Sequence, residues 1–153
     1  MIRSVWMVTL VWSAAPVALV RAEKSPLSPD ELRKTATHVV TGRVAAVFER
    51  TEVAGDWKYT RFVAEVRVDE CEKGDGHRKG ELVYVRYYRR ARGGVGEQPP
   101  SSPGHTELPA VGDAVRVYMA QNAYDGFTSD NTDGGFNVIG ANGFEKLTPA
   151  VGK

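Results

Sequence analysis

The longest unbroken alternation of apolar and polar residues in this chain covers residues 58–74. One parity of this segment is mainly apolar, as Phe62 and Val66 illustrate, and the other carries charges such as Arg61 and Glu65. Side chains alternate between the two faces of a β-strand, so one face of this segment is suited to a core and the other to water. The segment predicts a central β-strand around which the other elements are arranged.

The remaining patterns indicate a mainly β fold with one short helix. Ser28, Pro29 and Glu31 have the spacing of an N-cap, a first-turn proline and a capping box, which predicts a helix ending near Thr37. Gly42 interrupts the first strand and predicts a bulge. Four further strands are predicted at residues 38–48, 81–89, 114–120 and 136–141. Together these segments predict a small antiparallel β domain.

The first 22 residues have the features of a secretory signal peptide. Arg3 supplies a positive charge, residues 5–20 are apolar, and small residues around Ala22 form a cleavage site. Cleavage there gives a secreted or periplasmic protein that begins at Glu23, with residues 23–37 as lead-in and helix. The alternative is that the segment stays as a membrane anchor, although its apolar run is shorter than the roughly 20 residues of a membrane span.

Charge and cysteine content exclude some partners. The full chain has a formal net charge of +1, and the mature chain without Arg3 and Arg21 stays close to neutral. A near-neutral protein has no general attraction to nucleic acid, and none to a membrane after signal cleavage. With Cys71 as the single cysteine, no internal disulfide can form. The fold must therefore depend on its hydrophobic core.

Three polar, breaker-rich segments are predicted as loops, at residues 49–57, 92–112 and 121–135. Residues 148–153 are predicted to be a flexible tail. Because long polar loops on a small domain often bind ligands, the first hypothesis is a noncatalytic exported binding module for an extracytoplasmic protein or glycan. The second hypothesis is a hydrolase whose site the motifs do not reveal.

Aromatic and arginine residues are concentrated in and after the third predicted strand. The candidate ligand-binding residues are Tyr84, Arg86, Tyr88, Arg89, Arg90 and Arg92. Such residues form platforms for single-stranded nucleic acid, which is a further alternative for the function. Since nucleic-acid-binding domains are usually basic, the near-neutral chain favours a half-buried strand that runs into a solvated basic loop. The same basic patch leaves contact with an acidic polysaccharide open.

No metal or other cofactor is predicted. Asp125, Asp130 and Asp133 lie in a glycine-rich segment, but an EF-hand counted from Ser129 would have Gly140 at its twelfth position instead of glutamate. His38, His77 and His105 are far apart in the sequence, which predicts separate surface residues and no zinc site. No serine lies in a nucleophile elbow and no glycine-rich loop connects a strand to a helix. The motifs therefore give no support to catalysis.

Four segments in order resemble a known family: THVVTGRVAAV, YTRFVAEVRVDECEKG, LPAVGDAVRVYM and NVIGANGFEKL. They resemble the netrin-like domain of the tissue inhibitors of metalloproteinases, in particular its exported bacterial relatives, over residues 36–147. The resemblance implies a five-stranded OB-type barrel over residues 38–147, with an immunoglobulin-like sandwich of about seven strands as the alternative. The chain lacks the amino-terminal cysteine with which those proteins inhibit, so the resemblance implies the scaffold without the inhibition.

Overall fold

The computed structural model describes residues 26–92, 104–121 and 134–148. The predicted signal peptide lies outside these ranges. So do residues 93–103 of the predicted loop at 92–112, residues 122–133 of the predicted loop at 121–135 with its aspartates, and the tail after residue 148. The described elements are α1 (Pro29–Thr35), β1 (His38–Ala54), β2 (Trp57–Lys73), β3 (Leu82–Arg92), β4 (Ala114–Gln121), β5 (Phe136–Val138) and β6 (Phe144–Lys146). The fold is mainly β, as predicted.

The strands form one sheet in the order β1-β2-β3-β5-β4-β6, and β1 also pairs with β4. Five strands, β1, β2, β3, β5 and β4, are thereby hydrogen-bonded in a closed ring. Two predictions were wrong in detail. The sheet is not wholly antiparallel, because β3 pairs with β5 in parallel at Val85 and Phe136. It also has six strands, because a turn at Gly140, with φ of 64°, ends β5 early and the chain returns to pair with β4 as β6.

The main core lies inside this ring. On β2, Ala64, Val66 and Val68 are buried while Arg67 and Asp69 are exposed, which confirms the predicted alternation. The other fully or nearly fully buried members of this cluster are Val40, Val44, Val83, Val85, Tyr87, Val115, Val117, Met119, Val138 and Phe144. Small and medium apolar side chains from every strand thus fill the interior of the ring.

Helix α1 packs on the outside of the ring, against β4. Ser28 and Glu31 form the predicted capping box, and the helix ends at Thr35, two residues before the predicted end. Leu32 lies in a second apolar cluster with Tyr118. The neighbours of Tyr118 on β4, Val117 and Met119, point into the ring, so Tyr118 points out of it. At the other end of the helix, Lys73 Nζ donates to the carbonyl oxygens of Arg33 and Ala36, both at 2.6 Å. This ammonium group satisfies carbonyls that a helix C-terminus leaves without partners.

Strand β1 belongs to the ring for only part of its length. It pairs with β4 from His38 to Arg43 and with β2 all the way to Ala54. Its pairing with β2 shifts register at three places, one of them between Thr41 and Gly42, which confirms the predicted irregularity. A Cβ atom at Gly42 would overlap the carbonyl oxygen of Arg67, so the strand bends there with its backbone against β2.

Beyond the ring the strands continue as a projection that we call the arm: residues 46–54 of β1, 57–63 of β2 and 86–92 of β3. At the base of the arm the rings of Phe62 and Tyr87 stack 4.9 Å apart and still contact the main core. The predicted hairpin between the first two strands, with its tip at residues 54–56, is confirmed. The prediction of a loop over residues 49–57 was wrong, because strand pairing continues to Ala54 and Trp57 around a tight turn. Gly55 occupies that turn with φ of 58°. The backbone N–H and C=O groups of an exposed ribbon bond to the neighbouring strand, so the ribbon needs no apolar face. Its residues are therefore polar, and their composition resembles that of a loop.

The described part of the predicted exposed loop at residues 92–112 is exposed at residues 106–107 and 110–112, but its start at residues 104–105 is buried against the sheet. Arg92 still belongs to β3, and Gly104 forms a bridge with Arg89. His105, predicted at the surface, is buried: its Nδ1 lies 3.2 Å from the Tyr88 nitrogen and its Nε2 lies 3.2 Å from the Val138 carbonyl oxygen. An imidazole protonated on Nε2 satisfies both contacts, and this allows a polar ring to be buried.

Candidate functional site

The alternation of β3 separates the predicted ligand-binding residues. Tyr84, Arg86, Tyr88 and Arg90 have one parity, while Arg89 has the other and pairs with Thr60 of β2. Arg92 ends the strand opposite Trp57. Residues of opposite parity point to opposite faces of a sheet, so Arg89 cannot act on the same surface as Arg86 and Arg90.

Strand β2 supplies the second half of the same surface. The register places Tyr59 opposite Arg90, Arg61 opposite Tyr88 and Val63 opposite Arg86. We call this surface the outer face; its members are Trp57, Tyr59, Arg61, Val63, Glu65, Tyr84, Arg86 and Arg90, with Glu65 directly opposite Tyr84. Motif analysis of the third strand missed the contribution of β2. The signal was present in the odd-numbered positions from Trp57 to Val63, where two aromatic rings lie on the parity predicted to face solvent.

Aromatic and guanidinium groups contact each other on this face. The guanidinium carbon of Arg90 lies 4.3 Å from the centroid of the Trp57 ring, the geometry of a cation–π contact. Arg61 donates to Glu52 at 2.8 Å. Nε of Arg90 is buried and has no hydrogen-bond partner among the residues that the structure describes. The stacking fixes the orientation of Arg90, because a planar guanidinium group packs flat on an aromatic ring.

The two tyrosines of the predicted set differ in solvent exposure. Tyr84 is 52% exposed, whereas Tyr88 is 5% exposed. The Tyr88 ring packs edge-on against His105, with a centroid distance of 5.5 Å. Tyr84 is therefore available to a ligand, and Tyr88 instead holds the segment that follows β3 against the sheet.

A cavity of about 280 Å³ opens beside Tyr84 and Arg86. Its lining is completed by Val63, His77, Leu82, Val83, Gly135 and Phe136. A side chain at position 135 would overlap the Arg86 guanidinium group, so glycine allows that group to pack directly on the backbone. The cavity thus combines an apolar floor with an imidazole, a phenol and a guanidinium group, the mixture typical of ligand sites.

Two histidines predicted to be distant from each other meet beside this cavity. The rings of His38 and His77 are 5.3 Å apart, and both pack edge-on against Phe136, at 4.8 and 5.1 Å. Antiparallel pairing brings the start of β1 to the end of β2, where the turn carrying His77 begins. Burial, and secondarily the neighbouring His38, lowers the pKa of His77. Sequence separation therefore hid this contact.

A group of charged side chains elsewhere on the sheet is internally paired. Arg116 bonds to Glu72 and to Glu145, each at 2.9 Å, and Arg33 of α1 reaches Glu72 at 3.2 Å. The hydrogen bond from Arg116 is the main cause that lowers the pKa of Glu72. Because these charges bind each other, they fasten α1, β2, β4 and β6 together.

Within the described ranges, no three or more His, Cys, Asp or Glu residues are placed to hold a metal ion. No helix in the same part of the chain is long and apolar enough to cross a membrane. No protein-family model, curated protein or solved structure matches the chain. The resemblance to the netrin-like domain thus stays a prediction.

Proposed function

We propose that this protein is a noncatalytic exported binding module of OB type whose outer face binds an extracytoplasmic glycan. The observation that carries the proposal is the surface on which Trp57, Tyr59 and Tyr84 lie among Arg86 and Arg90. The face of the second and third strands is where OB-type barrels bind oligosaccharides and oligonucleotides. A closed ring of five strands, completed by the parallel β3–β5 pair, supports that architecture.

The chemistry of the outer face favours an acidic glycan. Aromatic rings offer flat apolar surfaces with a polar edge, which suits the apolar faces of sugar rings. Guanidinium groups bind carboxylates with two parallel hydrogen bonds. A protein partner that presents carboxylates would use the same groups, so the two ligand classes are separated by experiment.

Two other functions have less support. A hydrolytic site needs a positioned acid, base or nucleophile. The titratable residues that line the cavity are His77, Tyr84 and Arg86, and the neighbouring carboxylates of Glu65, opposite Tyr84, and Glu81, whose charge acts on His77, do not line it. Single-stranded nucleic acid would also stack on the outer face, but Arg61 is already paired with Glu52 and the chain is near neutral.

Calorimetric titration with polygalacturonate, an acidic polysaccharide, tests the proposal, with dextran as the neutral control. We expect saturable binding of polygalacturonate, weakened by about tenfold in Tyr84→Ala and in Arg86→Ala. Arg89→Ala is the matched control, because Arg89 lies on β3 but on the other face. Equal weakening by Arg89→Ala, or tighter binding of oligo-dT, would contradict the proposal. Shortened polysaccharide after incubation would show catalysis instead.

Export is tested separately. We expect the protein in the extracytoplasmic fraction, with an intact mass that begins at or near Glu23. A membrane-bound product that retains residues 1–22 would support the anchor alternative. Inhibition of a zinc endopeptidase is not expected, since no cysteine stands at the predicted mature terminus.

A further inference from the structure

The arm has an open edge along β1. Pairing of β1 with β4 stops at Arg43, and the N–H and C=O groups of Val44 bond to Asp113 and Gly112, each at 2.9 Å. From residue 46 to residue 54, β1 pairs with β2 on one side, and no strand in the described ranges pairs with its other side. A long flat edge of this kind is a template for another strand.

The turn of the hairpin determines which backbone groups point outward. A two-residue connection makes the pair of residues 54 and 57 hydrogen-bonded, and hydrogen-bonded and non-hydrogen-bonded pairs then alternate along the hairpin. By this count Glu49, Thr51 and Val53 turn their N–H and C=O groups away from β2. The hydroxyl oxygens of Thr51 and Thr60 lie 3.2 Å apart, which agrees with the short side-chain distance of a non-hydrogen-bonded pair.

The side chains along this edge are exposed, and one charge has no counterion within the described ranges. Phe48 is 55% exposed and Val53 is 73% exposed. Arg50 stands directly opposite Arg61 and forms no ion pair with any described residue. Arg61 bonds to Oε1 of Glu52, which leaves Oε2 of that carboxylate for a second cation.

We propose that a second copy of this chain pairs with this edge, β1 against β1, antiparallel about a two-fold axis through Thr51. The axis places Arg50 of each copy directly opposite Glu52 of the other, so each unpaired arginine gains a carboxylate. The outward N–H and C=O groups of Thr51 bond to the C=O and N–H groups of Thr51 in the second copy. Those of Glu49 bond in the same way to Val53 of the second copy. Registers centred on Glu49, Arg50 or Glu52 put that charge opposite itself, which is unfavourable.

Symmetry also determines the size of the assembly. The same surface is used on both copies, so pairing covers both open edges and stops at a dimer. A two-fold axis perpendicular to the sheet keeps both outer faces on the same side. If the proposed function holds, a polymeric glycan then meets two binding faces at once, which raises avidity without new contacts. The dimer itself does not depend on that function.

Analytical ultracentrifugation of protein expressed from the full 153-residue chain tests the proposal. We expect a reversible monomer–dimer equilibrium without higher oligomers. Thr51→Pro should be monomeric, because it removes an outward N–H and no backbone hydrogen bond within the chain; its loss of the hydroxyl contact with Thr60 is shared by Thr51→Val. Thr51→Val is the matched control and should still dimerise. A monomer at every concentration, a dimer unaffected by Thr51→Pro, or open-ended oligomers would overturn the proposal.

A charge exchange tests the register even if the proline variant fails to fold. Arg50→Glu and Glu52→Arg should each weaken dimerisation by about tenfold, because each places like charges opposite one another twice. The double variant should restore it. Arg61 then has a carboxylate directly opposite at position 50, so the arm keeps an internal ion pair. Absence of rescue in a folded double variant would overturn the register centred on Thr51.

Discussion

The ring and the arm share the two long strands β1 and β2, but β1 is paired on both sides in the ring and, among the described strands, on one side in the arm. Inside the ring, β1 has β2 on one side and β4 on the other, and its pairing with β2 shifts register three times within residues 39–46. In the arm the pairing of β1 with β2 is regular to the turn, and the other edge is open. The shifts bend the strand so that the ring can close, and the regular part leaves a straight ribbon.

The comparison shows that burial and pairing contribute separately to this fold. In the ring, apolar side chains fill an interior and glycine is needed where backbones approach closely. In the arm, the ladder, the Arg61–Glu52 pair and the Arg90–Trp57 stack hold a ribbon that has little interior. Substitutions of the same type in the two regions should therefore have very different costs.

The largest expected difference is between two phenylalanines. Phe144 is 1% exposed inside the ring and packs edge-on against Tyr87 at 5.0 Å, whereas Phe48 is exposed on the arm. Phe144→Ala should lower the free energy of unfolding by about 3–5 kcal/mol, because it removes buried contacts and leaves a cavity. Phe48→Ala should change it by about 0.5 kcal/mol or less. Urea unfolding at low protein concentration measures both; equal losses would contradict the distinction.

Two glycines sharpen the comparison at the level of the backbone. Gly42→Ala should cost about 3 kcal/mol, because the new methyl group overlaps the Arg67 carbonyl and one strand must move. Gly55→Ala should cost about 1 kcal/mol, because its Cβ meets no atom within 4 Å and only the positive φ of 58° is unfavourable. Thermal unfolding of both variants is the measurement. A Gly42→Ala protein as stable as the parent would mean that the bend in β1 is not needed for closure.

The sequence predicted the ring better than the arm, for a physical reason. Burial selects apolar residues at alternate positions, so β2 and β4 could be located from periodicity alone. The part of the arm that β1 contributes has no such selection, and its polar residues at 49–54 appeared to be a loop. The parallel β3–β5 pair and the additional strand β6 were also missed, since three-residue strands are too short to show a period.

The candidate site could be predicted only in part. The sequence shows that Tyr and Arg residues cluster in β3. It does not show which of them share a face, because that depends on how the strand pairs with its neighbours. Strand pairing brings Trp57 and Tyr59 beside them and places His38 next to His77, and these are contacts between distant parts of the chain. His105 is buried because backbone groups of Tyr88 and Val138 bind its ring, which no local pattern reveals.

The smallest expected effect concerns acid and the histidine contact at the ring. Burial and the neighbouring His38 lower the pKa of His77 from its ordinary 6.5, so the folded protein favours the neutral imidazole. The unfolded chain then binds a proton more readily, and stability falls as the pH drops through 6.5 toward the lower pKa of the folded state. Above that range the contribution is fully present, because His77 is neutral in both states.

Replacement of this histidine by glutamine isolates its contribution. His77→Gln cannot take up a proton, so its free energy of unfolding should depend less on pH between 7 and 5 than that of the parent protein. Denaturant titrations at a series of pH values give both slopes. Arg89→Gln in the arm is the control for a general change of charge and should keep the parent slope, because Arg89 is exposed and lies outside the proposed dimer edge. If His77→Gln keeps that slope as well, the acid sensitivity of the ring arises from other groups, and the contact between His38 and His77 does not determine it.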